Sequence, residues 1–356
     1  MTKVVVYSSG ASGHHPEYDA VLGRELSALG VDVVFTNRLA VALAADRVLF
    51  AMIDGNWRVF LPCALLSCVL TRRRVAGLFF RVGECFRPGL KYRLKRFAFH
   101  GLRAAPRTRV LSIGPFSVAP HYAEVAWEWA PDPQLWDRQV FAHLRDRRST
   151  PLSDEIVARA GGRPIVIALG EQNVSKGFTC FCDVWGSAPE LRERRLLVAA
   201  GRVAPQVRDE AEGMRQAGGV VIDRYLSAEE LSSLYNVADF IWAAYHPNYD
   251  QASGIIGRAF QFGVPVVLRR GSLMAALMRE LGHATVEIDF DDPVEAARRV
   301  LARAATPHTP SAEAGAALRS RFIETVVRSL DIDIGASSIR ARRDEMRRQA
   351  IAGRGS

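Results

Sequence analysis

The segment 238–268 combines an acidic side chain with the start of a helix. It reads as a buried strand, a polar loop carrying Asp250, a helix opening at Ser253 and Gly254, and a second buried strand. Backbone N–H groups without partners and the positive end of the helix dipole make the first turn of a helix attractive to phosphate. A carboxylate beside such a phosphate site indicates a sugar nucleotide as the ligand.

A lysine follows another apolar strand, within residues 165–178. This strand ends at Gly170, and the loop beginning at Glu171 leads through Lys176 into a helix. In an open parallel sheet, ligands bind beyond the carboxyl ends of the strands. Lys176 and Asp250 are therefore expected to converge on one crevice, although they are far apart in the chain.

Together the two segments resemble the carboxyl-terminal donor domain of GT-B glycosyltransferases, especially the large retaining family 4 (group 1). That family ends the corresponding strands with G-R-x-x-x-x-K-G and E-G-x-G-x-x-x-x-E-A-x-A-x-G-x-P-V-V; this chain matches the glycine, the lysine, the spacing and the closing run 263–267. The resemblance implies an α/β fold of two Rossmann-like, doubly wound parallel-sheet domains that face each other across a cleft. It also implies sugar transfer from a nucleotide diphosphate sugar to a hydroxyl acceptor, with retention of the anomeric configuration.

Three positions depart from the family pattern. The family's phosphate-binding arginine is replaced by Glu171, its first glutamate by Asp250 and its second by Arg258. The resemblance implies that Asp250 orients the donor sugar, while Lys176 and the helix amides neutralise the diphosphate. Because Arg258 cannot accept a hydrogen bond from a ribose, it is expected to point back toward the diphosphate.

The segment 222–226 corresponds to the strand end where the family contacts the nucleobase. Arg224 and Tyr225 are therefore candidate base contacts. The alternative is that Tyr225 covers the sheet edge while Arg224 is solvated. Ser227 and Glu230 have the spacing of a capping box, which predicts the start of the next helix.

The loop 10–15 follows the first strand, on the side where a GT-B cleft receives its acceptor. His14 and His15 are candidates for assisting proton removal from the acceptor hydroxyl or for contacting the leaving phosphate. The alternative is that one histidine caps the following helix and the other is solvated. The loop lacks the G-x-G-x-x-G order of a dinucleotide site.

The charge balance favours an acidic partner, since 47 lysines and arginines outweigh 38 acids to give a net charge of +9. The segment 87–109 has eight basic residues, no acid, and one apolar stripe. Such a helix either lies on an anionic membrane surface, which suits a lipid-linked acceptor, or packs its stripe in the core. Nucleic acid is disfavoured, because the aromatic residues lie on a helix rather than on a stacking sheet. The stripe consists of Leu90, Leu94, Phe97 and Leu102.

The length of 356 residues favours two domains. We expect an acceptor-binding domain at 1–134, a donor-binding domain at 150–330 and a helical tail at 331–356 that packs back on the first domain. The first strand begins at Lys3, leaving no room for a signal peptide, so a cytoplasmic location is expected. The basic segment 87–109 would allow peripheral attachment to the inner face of the membrane. Without a convincing D-x-D loop, neither a metal nor a cofactor besides the donor is expected.

The main prediction is a hexosyltransferase acting on a lipid-linked saccharide in polysaccharide or glycolipid biosynthesis. Two alternatives remain open. A non-catalytic GT-B protein that binds a nucleotide sugar or a partner would explain Glu171 and Arg258. A sugar-nucleotide epimerase would need acids aimed at C2 of the sugar and would turn over without an acceptor.

Overall fold

The computed structural model describes residues 2–8, 15–137, 149–304 and 312–333. The chain divides into two compact units, one formed by 1–140 with 311–356 and the other by 141–310. The predicted junction between 134 and 150 encloses this division. Residues 311–330, which the prediction assigned to the second domain, belong to the first unit because their helix packs on its core.

The first unit is a six-stranded parallel sheet with the order β2-β1-β3-β4-β5-β6. Its strands are β1 (Lys3–Tyr7), β2 (Asp32–Thr36), β3 (Arg47–Phe50), β4 (Arg74–Phe79), β5 (Thr108–Ser112) and β6 (Glu128–Trp129). Its helices in the described residues are α1 (His15–Ser27), α2 (Leu39–Ala44), α3 (Trp57–Val69), α4 (Leu90–Leu102) and, numbered last in the chain, α13 (Ala312–Ser329).

The second unit is also a six-stranded parallel sheet, with the order β12-β11-β10-β7-β8-β9. Its strands are β7 (Ile165–Leu169), β8 (Leu196–Ala200), β9 (Val220–Ile222), β10 (Phe240–Trp242), β11 (Val266–Arg269) and β12 (Thr285–Ile288). Its helices in the described residues are α5 (Pro151–Ala160), α6 (Phe178–Ser187), α7 (Pro189–Arg194), α8 (Arg208–Gln216), α9 (Ala228–Val237), α10 (Gly254–Phe262), α11 (Leu273–Glu280) and α12 (Pro293–Ala302).

The strand order of the second unit defines where a ligand can bind. Counted from β7, the order is 3-2-1-4-5-6, so the direction of chain progression reverses between β7 and β10. At such a switch point the connections that follow the two neighbouring strands run to opposite sides, and ligands bind in the crevice beyond the carboxyl ends of the strands. The predicted doubly wound α/β architecture is confirmed, and the switch point coincides with the two segments singled out in the sequence.

The cores are made by apolar strands that are covered by amphipathic helices. Helix α1 buries one apolar face, with Val21 and Leu22 both nearly inaccessible to solvent. Helix α13 joins the same core through Phe322, whose ring lies 5.3 Å from that of Trp136. Among the described residues, no helix is both long and apolar enough to cross a membrane.

Candidate functional site

The loops that leave β7 and β10 touch each other at the switch point. Gly177 has a φ of +71°, and a Cβ at this position would lie only 2.1 Å from the carbonyl oxygen of Ala244. The His246 N–H donates to the Ser175 carbonyl at 3.2 Å. A residue with a side chain at 177 would force the loops apart, so this glycine sets how closely the two predicted segments approach.

Lys176 lies against two aromatic rings of the second loop. Its Nζ is 4.2 Å from the ring centroid of Tyr245 and 4.6 Å from that of Tyr249. Burial alone lowers the pKa of Lys176, but the phenol groups of Tyr245 and Tyr249 raise it overall. The ammonium group is thus held as a charged, oriented cation within a largely desolvated site.

The same tyrosine connects this lysine to the start of α10. The hydroxyl groups of Tyr245 and Ser253 form a hydrogen bond of 2.8 Å. Ser253 is the N-cap residue, yet its side chain makes no capping hydrogen bond, which leaves the first turn beginning at Gly254 without a side-chain cap. Lys176 and the amino end of α10 together form a positive site suited to an anion.

Asp250 reaches a different helix from the one the sequence indicated. Its carboxylate accepts a hydrogen bond from the Leu273 N–H at 2.8 Å and pairs with Arg269 at 3.2 Å. The hydroxyl of Ser272 caps the Ala275 N–H, which leaves the Leu273 N–H to the carboxylate. Asp250 therefore ties the β10 loop to the amino end of α11, and its contact with the donor sugar stays a prediction.

Two glycines form the floor beside the positive site. Gly170 has a φ of +86°, and a Cβ on Gly201 would lie 2.0 Å from its carbonyl oxygen. A Cβ on Gly170 would in turn lie 3.7 Å from Ile255, in the first turn of α10. The buried Gln172 amide donates to the Gly170 carbonyl at 2.8 Å and fixes the loop.

A cleft of about 320 Å³ opens from this floor toward the end of β9. Tyr225 is 77% exposed, so it does not cover the sheet edge, contrary to the alternative considered for it. The guanidinium of Arg202 lies 5.1 Å from the Tyr225 ring and donates to its hydroxyl at 3.0 Å. The lining residues are Gly170, Glu171, Gly201, Arg202, Arg224, Tyr225, Leu226 and Leu231.

Arg202 is the charged lining residue of the cleft that the sequence analysis missed. The signal was present, because Gly201 and Arg202 follow the apolar strand β8 just as Gly170 and Glu171 follow β7. Glu171 itself is exposed and accepts from the Asn173 amide at 3.3 Å. Loop ends of neighbouring parallel strands share one edge, so the repeated pattern was sufficient to add Arg202 to the candidates.

Arg224 is fixed by the start of α9. Its guanidinium donates to both carboxylate oxygens of Glu230, at 2.6 and 2.9 Å. The predicted capping box is confirmed, since Ser227 and Glu230 exchange side-chain and backbone hydrogen bonds. The hydrogen bonds from Arg224 and the Ser227 N–H lower the pKa of Glu230 to about 2. Arg224 thus lines the cleft as an exposed side chain that is paired with Glu230, and its contact with a base stays a prediction.

Arg258 is half-buried on α10. Burial raises the pKa of the Tyr235 hydroxyl, and the nearby positive charge of Arg258 partly offsets this effect. The hydroxyl donates to the Ile255 carbonyl at 3.1 Å. Arg258 therefore lies close to the packing contact between α9 and α10, and its contact with a diphosphate stays a prediction.

The described residues do not test the predicted roles of the two histidines. His14 lies outside the described residues, and His15 is described only as the first residue of α1, so their roles stay predictions.

In the segment 87–109, Leu90 and Phe97 are exposed on α4, which excludes packing of the stripe as a whole in the core. Among the described residues, no cluster of three or more metal-ligating side chains is present.

Known proteins resemble this chain in structure but not detectably in sequence. No protein-family model and no curated sequence matches it. Sucrose-phosphate synthase from Thermosynechococcus elongatus has a TM-score of 0.59 and 13% identity, over 99% of this chain and 100% of that one. HepE from Anabaena in complex with UDP has a TM-score of 0.60 and 12% identity, over 93% and 98%.

This chain has the GT-B fold. A third structure with the GT-B fold, a UDP-forming α,α-trehalose-phosphate synthase from Burkholderia vietnamiensis, has a TM-score of 0.56 and 14% identity, over 90% of this chain and 81% of that one. The predicted fold is confirmed. At these identities the GT-B likeness does not single out family 4.

Proposed function

We propose that this protein is a glycosyltransferase that moves a sugar from a nucleotide diphosphate sugar to a hydroxyl acceptor. The observation that carries the proposal is the positive site formed by Lys176 and the uncapped start of α10 at the switch point of the second sheet. The glycine floor connects this site to the cleft. An anion site joined to a cleft with an exposed tyrosine matches a diphosphate joined to a nucleobase.

The positive charge at one end of the site would assist departure of the diphosphate, and the residues at the other end would bind the base. When the bond between the sugar and the diphosphate breaks, negative charge grows on the leaving phosphate. The Lys176 ammonium and the amides of the first turn of α10 stabilise this charge more strongly in the transition state than in the ground state. Tyr225 and Arg202 supply a stacking surface for the base.

Asp250 acts as a positioning residue in this proposal. Its contacts with Leu273 and Arg269 fix the loop that carries Tyr245 and Tyr249, and these rings hold Lys176. This chain of contacts links the carboxylate to the diphosphate site without requiring it to touch the sugar. Retention of the anomeric configuration and independence from a metal belong to the proposal, and NMR of the product anomer and turnover in EDTA test them.

The GT-B neighbours support a nucleotide diphosphate sugar as the donor. They do not support a lipid-linked acceptor. HepE was solved in complex with UDP, and a trehalose-6-phosphate protein from E. coli, with a TM-score of 0.50, was solved with UDP-2-fluoro glucose. We extend the proposal to a hexosyl donor and a lipid-linked saccharide acceptor at the cytoplasmic membrane surface. The exposed basic helix α4 supports this acceptor class.

One observation favours a second candidate function, a nucleotide-sugar-binding protein without turnover. Glu171 lines the cleft where the family 4 pattern has a phosphate-binding arginine. A carboxylate there opposes a second negative charge and gives no stabilisation to a leaving phosphate. This candidate predicts nucleotide binding without sugar transfer.

Thermal unfolding against a panel of nucleoside diphosphates and their sugar conjugates tests donor binding. A ligand at a hundredfold excess over its Kd adds about 2.7 kcal/mol of stability. We expect one nucleotide series to raise the Tm of the wild type. Lys176→Met, which keeps the apolar stem but removes the charge, should lose this response.

The matched control is Lys91→Met, because Lys91 is an exposed lysine of the first unit. It should respond to nucleotide like the wild type. If no nucleotide raises the Tm of the wild type, both the transferase and the binding protein are excluded. If Lys176→Met responds fully, the diphosphate lies elsewhere.

A further inference from the structure

Two neighbouring helices of the first unit present apolar side chains to solvent. Helix α3 has no acidic or basic residue after Arg58, and Val69 at its end is 76% exposed. Helix α4 exposes Phe97 to 77%. A helix that is apolar on all sides is ordinarily buried on all sides, so α3 lacks a partner for its outer side among the described residues. The α3–α4 face consists of Leu65, Val69, Leu70, Leu90, Leu94 and Phe97.

The two helices share one layer. They connect β3 to β4 and β4 to β5, three adjacent parallel strands, and right-handed crossovers place such consecutive helices side by side on one face of the sheet. Their inner sides pack together, since the rings of Phe60 and Phe99 stack at 6.2 Å. Their outer sides therefore present the exposed apolar residues on the same face of the sheet.

The surroundings of this surface are strongly basic. Residues 57–103 contain eleven lysines and arginines and one acid, Glu84. That acid is already paired with Lys95 at 2.8 Å. The exposed basic side chains next to the apolar residues are Arg58, Arg72, Lys91 and Arg93.

We propose that the α3–α4 face docks on a bilayer that contains anionic lipid. Its aliphatic side chains would enter the boundary between headgroups and acyl chains, while its basic rim would bind the anionic headgroups. The inference goes beyond the proposed function, because it requires neither a donor nor turnover. It also extends the sequence prediction, which considered α4 alone.

Charge and side-chain type argue against other occupants. A second copy of the face would bring two basic rims together, and residues 334–356 carry six arginines against two acids. Nucleic acid would pair with the charges, but leucine and valine side chains offer no ring on which a base can stack. Only a surface that is both apolar and anionic complements the whole face.

Vesicle flotation tests the docking on the full chain. We expect the protein to float with phosphatidylcholine vesicles that contain phosphatidylglycerol, and to bind pure phosphatidylcholine at least tenfold more weakly. Leu65→Glu and Phe97→Glu should each weaken binding to the anionic vesicles roughly tenfold. The matched control is Val157→Glu on α5, because Val157 is also an exposed apolar residue, at 47%.

A cysteine reports whether the face itself enters the bilayer. Cys68 is exposed on α3, whereas Cys63 and Cys85 of the same unit are buried. Once the half-buried Cys182 is changed to serine, an environment-sensitive dye can be attached at Cys68. We expect its emission to shift to the blue with anionic vesicles and to stay unchanged with pure phosphatidylcholine.

Three results would overturn the docking proposal. The first is equal flotation with both vesicle types. The second is full binding by Leu65→Glu and Phe97→Glu, or a loss of binding by Val157→Glu as large as theirs. The third is a dimer in light scattering that Phe97→Glu dissociates, which would assign the face to a second copy. None of these results bears on nucleotide binding, so the transferase proposal is judged separately.

Discussion

At the scale of single residues, glycines decide whether the candidate site can form. Gly170, Gly177 and Gly201 all have positive φ, and two of them would place a Cβ about 2 Å from a carbonyl oxygen. The sequence could predict Gly170 and Gly177, because each follows a strand or precedes a helix in a familiar pattern. It could not predict the partner carbonyls, because these come from other strands of the sheet.

Gly177→Ala should destabilise the protein by at least about 3 kcal/mol, because the new methyl group overlaps the Ala244 carbonyl and φ stays positive. Urea unfolding of the purified variant measures this loss. Gly161→Ala is the matched control, since φ is +56° there and no atom lies within 4 Å of the new Cβ. It should cost only about 1 kcal/mol, and equal losses would show that the contact with Ala244 is unimportant.

At the scale of secondary-structure elements, capping residues predict the start of a helix more accurately than apolar spacing predicts the ends of a strand. The Ser227 capping box was readable because all its partners lie within four residues. Apolar spacing predicts a strand at 124–128, but β6 lies at Glu128–Trp129, because the preceding residues Pro120–Glu124 form a 3-10 turn that such spacing does not reveal. The exposure of α3 was also unreadable, because an uncharged helix ordinarily indicates burial.

The Arg224–Glu230 pair makes the stability of α9 dependent on pH. The pKa of Glu230 falls from its usual 4.5 to about 2 in the folded protein, so the unfolded chain binds more protons between these values. The stabilisation is complete above about pH 4.5 and is lost as the pH falls toward 2. Glu230→Gln, which keeps a capping side chain, should lower the Tm at pH 7, and this difference should shrink below pH 4.5.

Thermal scans between pH 7 and pH 3 measure this effect. Glu190→Gln is the control, because Glu190 forms an exposed pair with Arg194 at 2.8 Å. It should change the Tm less at pH 7. A constant Tm difference for Glu230→Gln across the whole range would show that its ion pair does not contribute to stability.

At the scale of the whole molecule, the chain consists of two parallel-sheet units, and its last described helix belongs to the first of them. The sequence could predict the two units from the alternation of apolar strands and helices. It could not assign α13, because the partners of this helix lie much earlier in the chain, up to 294 residues away. Arg319 forms a bidentate pair with the buried Glu25, at 3.0 to 3.1 Å.

Arg319→Ala should reduce the free energy of unfolding by about 3 kcal/mol, because it removes the bidentate ion-pair partner of a buried carboxylate. Urea denaturation measures the change. Arg328→Ala is the control on the same helix, since its pair with Glu128 is exposed, and it should cost less than about 1 kcal/mol. Equal costs would show that α13 is not anchored by the buried pair.

Sugar transfer is the central claim, and turnover measures it most directly. The protein is incubated with the nucleotide sugar that stabilises it, a panel of saccharide and lipid-linked acceptors, and EDTA. The account predicts that nucleoside diphosphate is released in equal amount to the sugar joined to an acceptor hydroxyl, and that Lys176→Met abolishes this release. Binding of the donor without release, or a donor epimerised without any acceptor, would contradict it.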